Sequence, residues 1–486
     1  MVTRVTLGCA VLLAVALAGR SGAAPEDARS ATLPCKIPGL AGRALCGTLP
    51  VRESAASGRT IRVAFAVVPA QRRNLGAVFE VGGGPGQSAI DGASGIDGDP
   101  ELTGIHRDHD LVFVDQRGTG RSGILQCPQL FASRADAFAE LFPSVELRAC
   151  RTRLARIADL NAYGTDRAAD DLDTVRALLG YETISFDTGS YGSQFAFVYL
   201  RRHPEHVRAL LLGGVAPTYI KLPLPFSRGA QHALDELIAS CGADARCARA
   251  YPDLRADWNA LVAGFAHGPL RVTFPDHGRT TSVLLSRQVF ADRMRQALYD
   301  PFSAAALPAI IDAAAHGDTA PLGRLIALII DSFAGGIAQG ENLSVACAED
   351  VAFITPAQRA QAARSGFLGD LRIRAQQRAC RMWNVRPVPR AFLDPVRSRV
   401  PVLMISGADD PATPAWLGAS QLPYLSNARQ IMVPGGGHDN ASPCLTRVRL
   451  AFLDDPRPAA VSASCAGANQ RPPFVLDLPA WFARLK

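Results

Sequence analysis

Several features are scarce in this 486-residue chain, and each scarcity removes a class of function. Basic side chains outnumber acidic ones, 51 to 44, but the surplus is scattered as isolated arginines without a basic run or aromatic interleaving. That pattern argues for solubility and against a nucleic-acid surface. There is no Cys-x-x-Cys pair and no His at ligand spacing from a Cys, so no metal site is expected, and no cofactor either. The one glycine-dense stretch, Gly82-Gly83-Gly84-Pro85-Gly86, is not followed by Lys and is broken by Pro85, which excludes both common phosphate-cradling patterns. Apolar runs of bilayer length are missing too, so no stable membrane anchor is expected. Long polar tracts are absent. With 48% hydrophobic and 20% charged residues, the chain is globular, either one large domain with an insertion or two domains.

What is present begins with an export signal. Arg4, an apolar core from Val5 to Ala18, and small residues at Ser21 and Ala23 read as a secretory signal peptide over 1–23, cut after Ala23. A secreted or periplasmic product is expected. Setting Cys9 aside leaves ten cysteines in near-neighbour pairs: Cys35 with Cys46, Cys127 with Cys150, Cys241 with Cys247, Cys347 with Cys380, and Cys444 with Cys465. In an oxidising compartment an even count favours disulfides, and sequence-local closure is the simplest connectivity.

The chain is organised around Thr183-Ile-Ser-Phe-Asp-Thr-Gly-Ser190-Tyr-Gly-Ser193. A β-branched apolar run enters small residues and a Ser, and Gln194 to Leu200 then carries helical apolar spacing. This is the strand, sharp turn, helix context of a nucleophile elbow, in which a strained turn lifts the seryl oxygen clear of the backbone. The full Gly-x-Ser-x-Gly pattern is broken, because Thr188 stands at its first position. Crowding by that β-branched residue is expected to reshape the elbow.

Other strands are read at Thr60–Val68, after a Cys-bounded loop, and at Gly76–Val81, Leu111–Val114, Ala209–Leu212, Pro401–Ser406 and Arg429–Val433. The glycine cluster after the second of these reads as a presenter of backbone N–H groups to an oxyanion. Asp115 to Ser122 reads as a structural turn held by Asp115–Arg117 contacts. A helix over Asp166–Gly180 is expected to be capped by Thr165. From 222 to 396 the strand rhythm gives way to helical patterns at Ala230–Ala239, Leu284–Leu298 and Leu307–Ala315, with a hairpin near Leu270–Val283. The expected architecture is an α/β fold. A mainly parallel sheet is flanked by helices, with core segments 24–221 and 397–486 separated by a largely helical lid at 222–396.

Two late loops complete the pattern. Gly407-Ala-Asp409-Asp410-Pro-Ala-Thr-Pro414 follows one returning strand and Pro434-Gly-Gly-Gly-His438-Asp439 the next. Carboxyl ends of parallel strands share one rim, so Ser190, an Asp and His438 can meet there, in the chain order of an α/β-hydrolase. His203 and His206 read as the exposed end of the elbow helix.

The Gly82–Gly86 loop, the Asp115–Ser122 turn, Gly189-Ser190-Tyr191-Gly192, Asp410-Pro-Ala-Thr-Pro414, Gly437-His438 and the Cys444/Cys465 pair together resemble secreted bacterial tripeptidyl aminopeptidases, a family related to proline iminopeptidases. The resemblance implies an α/β-hydrolase fold with Ser190 as nucleophile, Asp410 in preference to Asp409 as orienting acid, and His438 as general base. It implies an oxyanion hole from the amides of Tyr191 and Gly84. Gly82 stands where proline iminopeptidases have His. Within the lid, Glu349 and Asp350 are the candidates to receive a substrate ammonium, as lid acids do in related enzymes. The expected activity is a serine exopeptidase releasing amino-terminal residues or short peptides. A carboxylesterase on small acyl esters shares every catalytic residue, and a peptide-binding module with an elbow spoiled by Thr188 is the non-enzymatic alternative. The expected partner is accordingly a peptide or small ester.

Overall fold

The computed structural model describes residues 32–276 and 278–485, so the signal-peptide reading lies outside the described residues. Eleven strands are formed there: β1 (Leu33–Cys35), β2 (Ala44–Arg52), β3 (Thr60–Val68), β4 (Ala77–Glu80), β5 (Asp110–Val114), β6 (Ile184–Gly189), β7 (Val207–Gly213), β8 (Leu270–Asp276), β9 (Arg279–Leu285), β10 (Val402–Gly407) and β11 (Ala428–Val433). Nine of them make one sheet in the order β1-β2-β3-β5-β4-β6-β7-β10-β11. The β1, β2 and β3 end is antiparallel, and the six strands from β5 to β11 run parallel. With the helices on both faces described below, this is the α/β-hydrolase architecture, and every parallel strand delivers its carboxyl end to one rim.

The parallel strands are buried runs because helices cover both faces. Phe79, Phe186, Leu210 and Met404 face the helices Thr165–Leu178 and Tyr191–Arg202, while Val78, Leu211, Leu403 and Ile405 face Pro100–Asp108 and Pro443–Asp454. Every residue of Tyr191–Leu200 is buried, and each large apolar side chain there contributes about 2 kcal/mol of burial. That packing fixes the helix whose first turn carries the site.

The segment read as a Cys-bounded loop contains β1 and β2. Its strand character is hard to see because β2 lies near the sheet edge, alternates between half-buried and exposed, and includes Gly47 and Pro50. Between β7 and β10 lies a mostly helical block with the β8–β9 hairpin and its own apolar core. Its helices include Phe226–Ala243, Arg287–Ala297, Leu307–Ala315, Ala320–Gly336, Gln339–Glu349 and Leu371–Trp383. Five disulfides join the near-neighbour cysteine pairs, Cys35–Cys46, Cys127–Cys150, Cys241–Cys247, Cys347–Cys380 and Cys444–Cys465. Among the described residues no single helix is long and apolar enough to cross a membrane.

Two local expectations change. Asp115 does not contact Arg117. Its carboxylate accepts from Ser88 Oγ (2.8 Å), the Ile90 amide (3.1 Å) and the Arg121 amide (2.7 Å), and so ties the far side of the glycine loop to the β5 turn. Arg117 instead forms a two-pronged pair with Asp171, both contacts 2.7 Å, and donates to the Glu53 and Ala162 carbonyls. Thr165 is likewise not the cap of its helix but its first residue.

Candidate active site

Ser190 sits where β6 becomes a helix, with φ 57° and ψ −130°, one of two non-glycine residues with positive φ among those described. A side chain there is strained, and such strain persists only where the surroundings enforce it. The enforcing contacts are visible. The Ser190 amide donates to the Gly213 carbonyl (3.0 Å) and the Gly214 carbonyl (3.1 Å), and Ser193 Oγ donates to the Ser190 carbonyl at 2.6 Å.

Thr188 does not spoil this turn. Its hydroxyl donates to the Val81 carbonyl at 3.1 Å, into space left open because residue 192 is glycine. A Cβ on Gly192 would lie 1.9 Å from Thr188 Oγ1. The departure from the usual motif is thus absorbed by the motif's own second glycine.

Asp410 and His438 come from the loops after β10 and β11. The Nδ1 of His438 is 2.8 Å from Asp410 Oδ2, and Asp410 also accepts from the amides of Ala412 (2.7 Å) and Thr413 (2.9 Å) and from Thr413 Oγ1 (2.8 Å). Burial alone would raise Asp410, but His438 and these donors outweigh it and hold the carboxyl below its ordinary value. Burial would lower His438, yet Asp410 outweighs it and leaves the imidazole above its ordinary value. Asp409, the rival, is taken up by Arg471 at 2.6 Å, and it is Asp410 that His438 meets.

Gly214 brings the serine and histidine together. Its carbonyl receives the Ser190 amide, and a Cβ built on it would lie 3.0 Å from His438 Cε1. The hydrogen bonds of His438 run to Asp410, Thr413 and Tyr299, and none joins its ring to Ser190 Oγ in this structure. Catalytic bonds of this kind commonly tighten only when substrate is bound.

The glycine loop lies across the serine. A Cβ on Gly83 would lie 3.7 Å from Ser190 Cβ, whereas one on Gly84 would have Gly86 N, Ile337 Cδ1 and Gln87 N as its nearest atoms. Gly83 is therefore the loop residue packed against the Ser190 side chain. Sequence could not separate adjacent glycines, because the choice depends on how the loop folds over the elbow.

Three acids at the end of the helical block nearest the elbow are deeply buried, Glu341, Glu349 and Asp350. Glu349 accepts from the Thr165 amide (2.7 Å) and hydroxyl (2.6 Å), supplying from another element the cap that Thr165 was expected to provide. Burial raises Glu349 to about 7 against those bonds. Asp350 accepts from the Leu222 amide at 3.1 Å and is pushed well above its ordinary value by burial and Glu349. Glu341, which the sequence reading passed over, is 1% exposed, is raised by burial and Glu349, and has no partner for Oε2. Its only sequence signal is its place on the same helix as Glu349. The group reaches the elbow through Thr165, whose hydroxyl is 2.8 Å from that of Tyr191, and burial, with Glu341, Glu349 and Asp350 adding to it, raises the Tyr191 hydroxyl well above its ordinary value.

Other candidates lie elsewhere. His206 is 2.7 Å from Asp173, which Arg176 also holds at 2.7 Å, and His203 is 3.0 Å from Asp170. A cavity of about 760 Å³ lined by Val67, Asp110, Leu179 and Tyr181 opens at the amino ends of the parallel strands, the rim opposite Ser190.

The chain is similar to several known proteins. Residues 365–465 match the family described as TAP-like protein. The chain is 31% identical over 238 residues to serine protease Hip1 of Mycobacterium tuberculosis, 45% of each chain. It is 29% identical over 223 residues to carboxylesterase B of the same species, 42% of this chain and 43% of that one. It is 28% identical over 221 residues to tripeptidyl aminopeptidase of Streptomyces lividans, 42% of this chain and 40% of that one. The chain thus spans about half the length, or less, of the curated relatives it matches.

Proposed function

We propose that this chain, an α/β-hydrolase with a TAP-like C-terminal region, is an exported serine hydrolase that removes residues or short peptides from free amino ends. The observation that carries the hydrolase reading is the convergence on Gly214 of a strained Ser190 and a His438 already paired with buried Asp410. His438 takes the Ser190 proton as Oγ attacks the carbonyl, Asp410 fixes the tautomer and stabilises the imidazolium, and the proton passes to the leaving group. The amide of Tyr191 and an amide of the Gly82–Gly86 loop receive the oxyanion, each worth on the order of 3 kcal/mol of barrier. Water then releases the acyl group by the same steps.

The exopeptidase reading rests on Glu341, Glu349 and Asp350. Three buried carboxylates without a cation beside the elbow suit a substrate ammonium, and Glu341 has the free oxygen. The helical block would then act as a lid over the site. The five disulfides support export. A carboxylesterase is the second reading, favoured by the match to carboxylesterase B at similar identity. The binding-module reading is disfavoured by the preserved strain at Ser190.

A fluorophosphonate probe should label the protein and fail to label Ser190→Ala. Free-amine peptide anilides should be cleaved well ahead of their N-blocked counterparts. Equal cleavage of the two would sink the exopeptidase reading, and p-nitrophenyl esters cleaved in the absence of any anilide turnover would favour the esterase.

A further inference from the structure

The helix Arg287–Ala297 approaches the site from the His438 side. Tyr299, just beyond its end, accepts from the backbone amides of His438 (2.6 Å) and Asp439 (3.2 Å), and its ring centroid lies 4.7 Å from that of the imidazole. Around this helix a single carboxylate, Asp292, faces three guanidinium groups: Arg293 at 3.5 Å, Arg295 at 3.2 Å and Arg372 at 2.9 Å. Asp292 is fully buried, and Arg293 and Arg295 are 5% and 1% exposed. Burial would raise Asp292, but the three arginines outweigh it and hold it at about 2, so it is ionised.

Arg372 is half-buried, but buried Arg293 and Arg295 against the one Asp292 still leave surplus positive charge inside, and their other side-chain partners are neutral. Arg295 donates to the Tyr299 hydroxyl and lies 4.1 Å over the Phe226 ring, and Arg372 donates to Gln376 at 3.0 Å. Arg293 donates to Gln296 Oε1 at 2.8 Å. Uncompensated charge in a dry interior is costly, which makes the cluster a receptor for an anion. Two donors point to where that anion sits. Arg293 Nε and Gln296 Nε2 are buried without a partner, and residues three apart share a helix face. Arg293 also lies 5.4 Å over the Phe333 ring, on the helix whose following residues, Ile337 and Ala338, abut Gly84 and Gly86. Arg293 and Gln296 thus lie on the helix that ends at Tyr299 against His438, and Arg293 touches the helix that leads to the glycine loop.

We infer that Arg293 and Gln296 form an anion subsite that takes a carboxylate on the departing part of the substrate. The inference rests on Ser190 being the nucleophile. Its direction follows from proton transfer: His438 hands its proton to the leaving group, so that group departs on the histidine side, where the cations are. The acids lie on the Tyr191 side. A substrate with an ammonium on its acyl part and a carboxylate on its leaving part matches both, which is the charge pattern of a short peptide with both ends free.

The test compares 4-acetoxybenzoate with 4-acetoxybenzamide, esters differing only in a leaving-group carboxylate, so it does not require peptidase activity. The unaltered enzyme should prefer the acid by tenfold or more in kcat/KM. Arg293→Gln and, separately, Gln296→Leu should each shrink that preference at least fivefold. Tetra-alanine should likewise be preferred over its C-terminal amide. Equal rates on the two esters in a protein that labels with fluorophosphonate overturn the anion subsite alone, as does a preference that neither variant moves. Should Arg293→Gln not fold, the unaltered enzyme and Gln296→Leu decide the matter. Loss of both ester turnover and labelling overturns the Ser190 reading together with the subsite.

Discussion

At the scale of single residues, the site is a set of close fits. Thr188 and Gly192 are one such fit, since the threonine hydroxyl occupies the place a Cβ at 192 would need. Gly192→Ala should therefore lose most activity and stability, and Thr188→Ala in the same chain should restore part of both. Additive losses, measured by denaturation and ester turnover in a double-mutant cycle, would contradict the fit. The Asp410–His438 pair makes a second prediction. Because Asp410 raises the imidazole above its ordinary value, kcat/KM should fall as pH drops through a point above about 6.5, where the base becomes protonated. Asp410→Asn should cut kcat by on the order of 10³ to 10⁴ and move that limb to lower pH. A limb that stays in place would mean that another group sets it.

At the scale of elements, the helix Gln339–Glu349 joins the block to the sheet. Its preceding residues abut the glycine loop, Asn342 donates to the Pro85 carbonyl at 2.9 Å, and Glu349 caps Thr165–Leu178. The Cys347–Cys380 disulfide holds it against Leu371–Trp383, closing 33 residues. Closure of that length stabilises by roughly 3.5 kcal/mol in the chain-entropy account. Replacing both cysteines by Ala should lower Tm by several degrees and reduce peptide turnover more than turnover of a small ester, because the acids ride on this helix. Equal losses on the two substrates would separate the helix from substrate selection. In the sequence this element is only part of the largely helical block at 222–396. Its docking depends on Thr165, 184 residues away, and no local pattern reports such a pairing.

At the scale of the whole molecule, charge is sorted rather than balanced. Behind the elbow, Arg449 pairs with both Glu101 (2.8 Å) and Asp187 (2.9 Å), and half-buried Glu80 lies beside them, so one guanidinium serves three carboxylates. Burial, with Asp187 adding to it, raises Glu101 to about 8. The folded state then holds a proton that the unfolded chain releases above its ordinary value of 4.5, so this group's contribution to stability is lost as pH rises from there toward 8. Denaturant titrations between pH 5 and 9 should show stability falling with pH, and Glu101→Gln should flatten the fall. A slope unchanged in that variant would assign the effect to other groups.

The sequence by itself determined the order of the parallel strands, the elbow, the two late loops and the five cysteine pairs, because apolar period, turn residues and near-neighbour cysteines are local signals. It also placed Ser190, Asp410 and His438 at the ends of strands bound for one rim. Only the tertiary structure decided that Gly83 rather than Gly84 meets the serine, that Asp115 clamps the glycine loop instead of pairing with Arg117, that Glu349 caps a distant helix, and that Glu341 and Arg293 keep unpaired polar atoms. Each of those outcomes depends on which groups from remote segments share a water-free space, and that is settled by packing rather than by residue type.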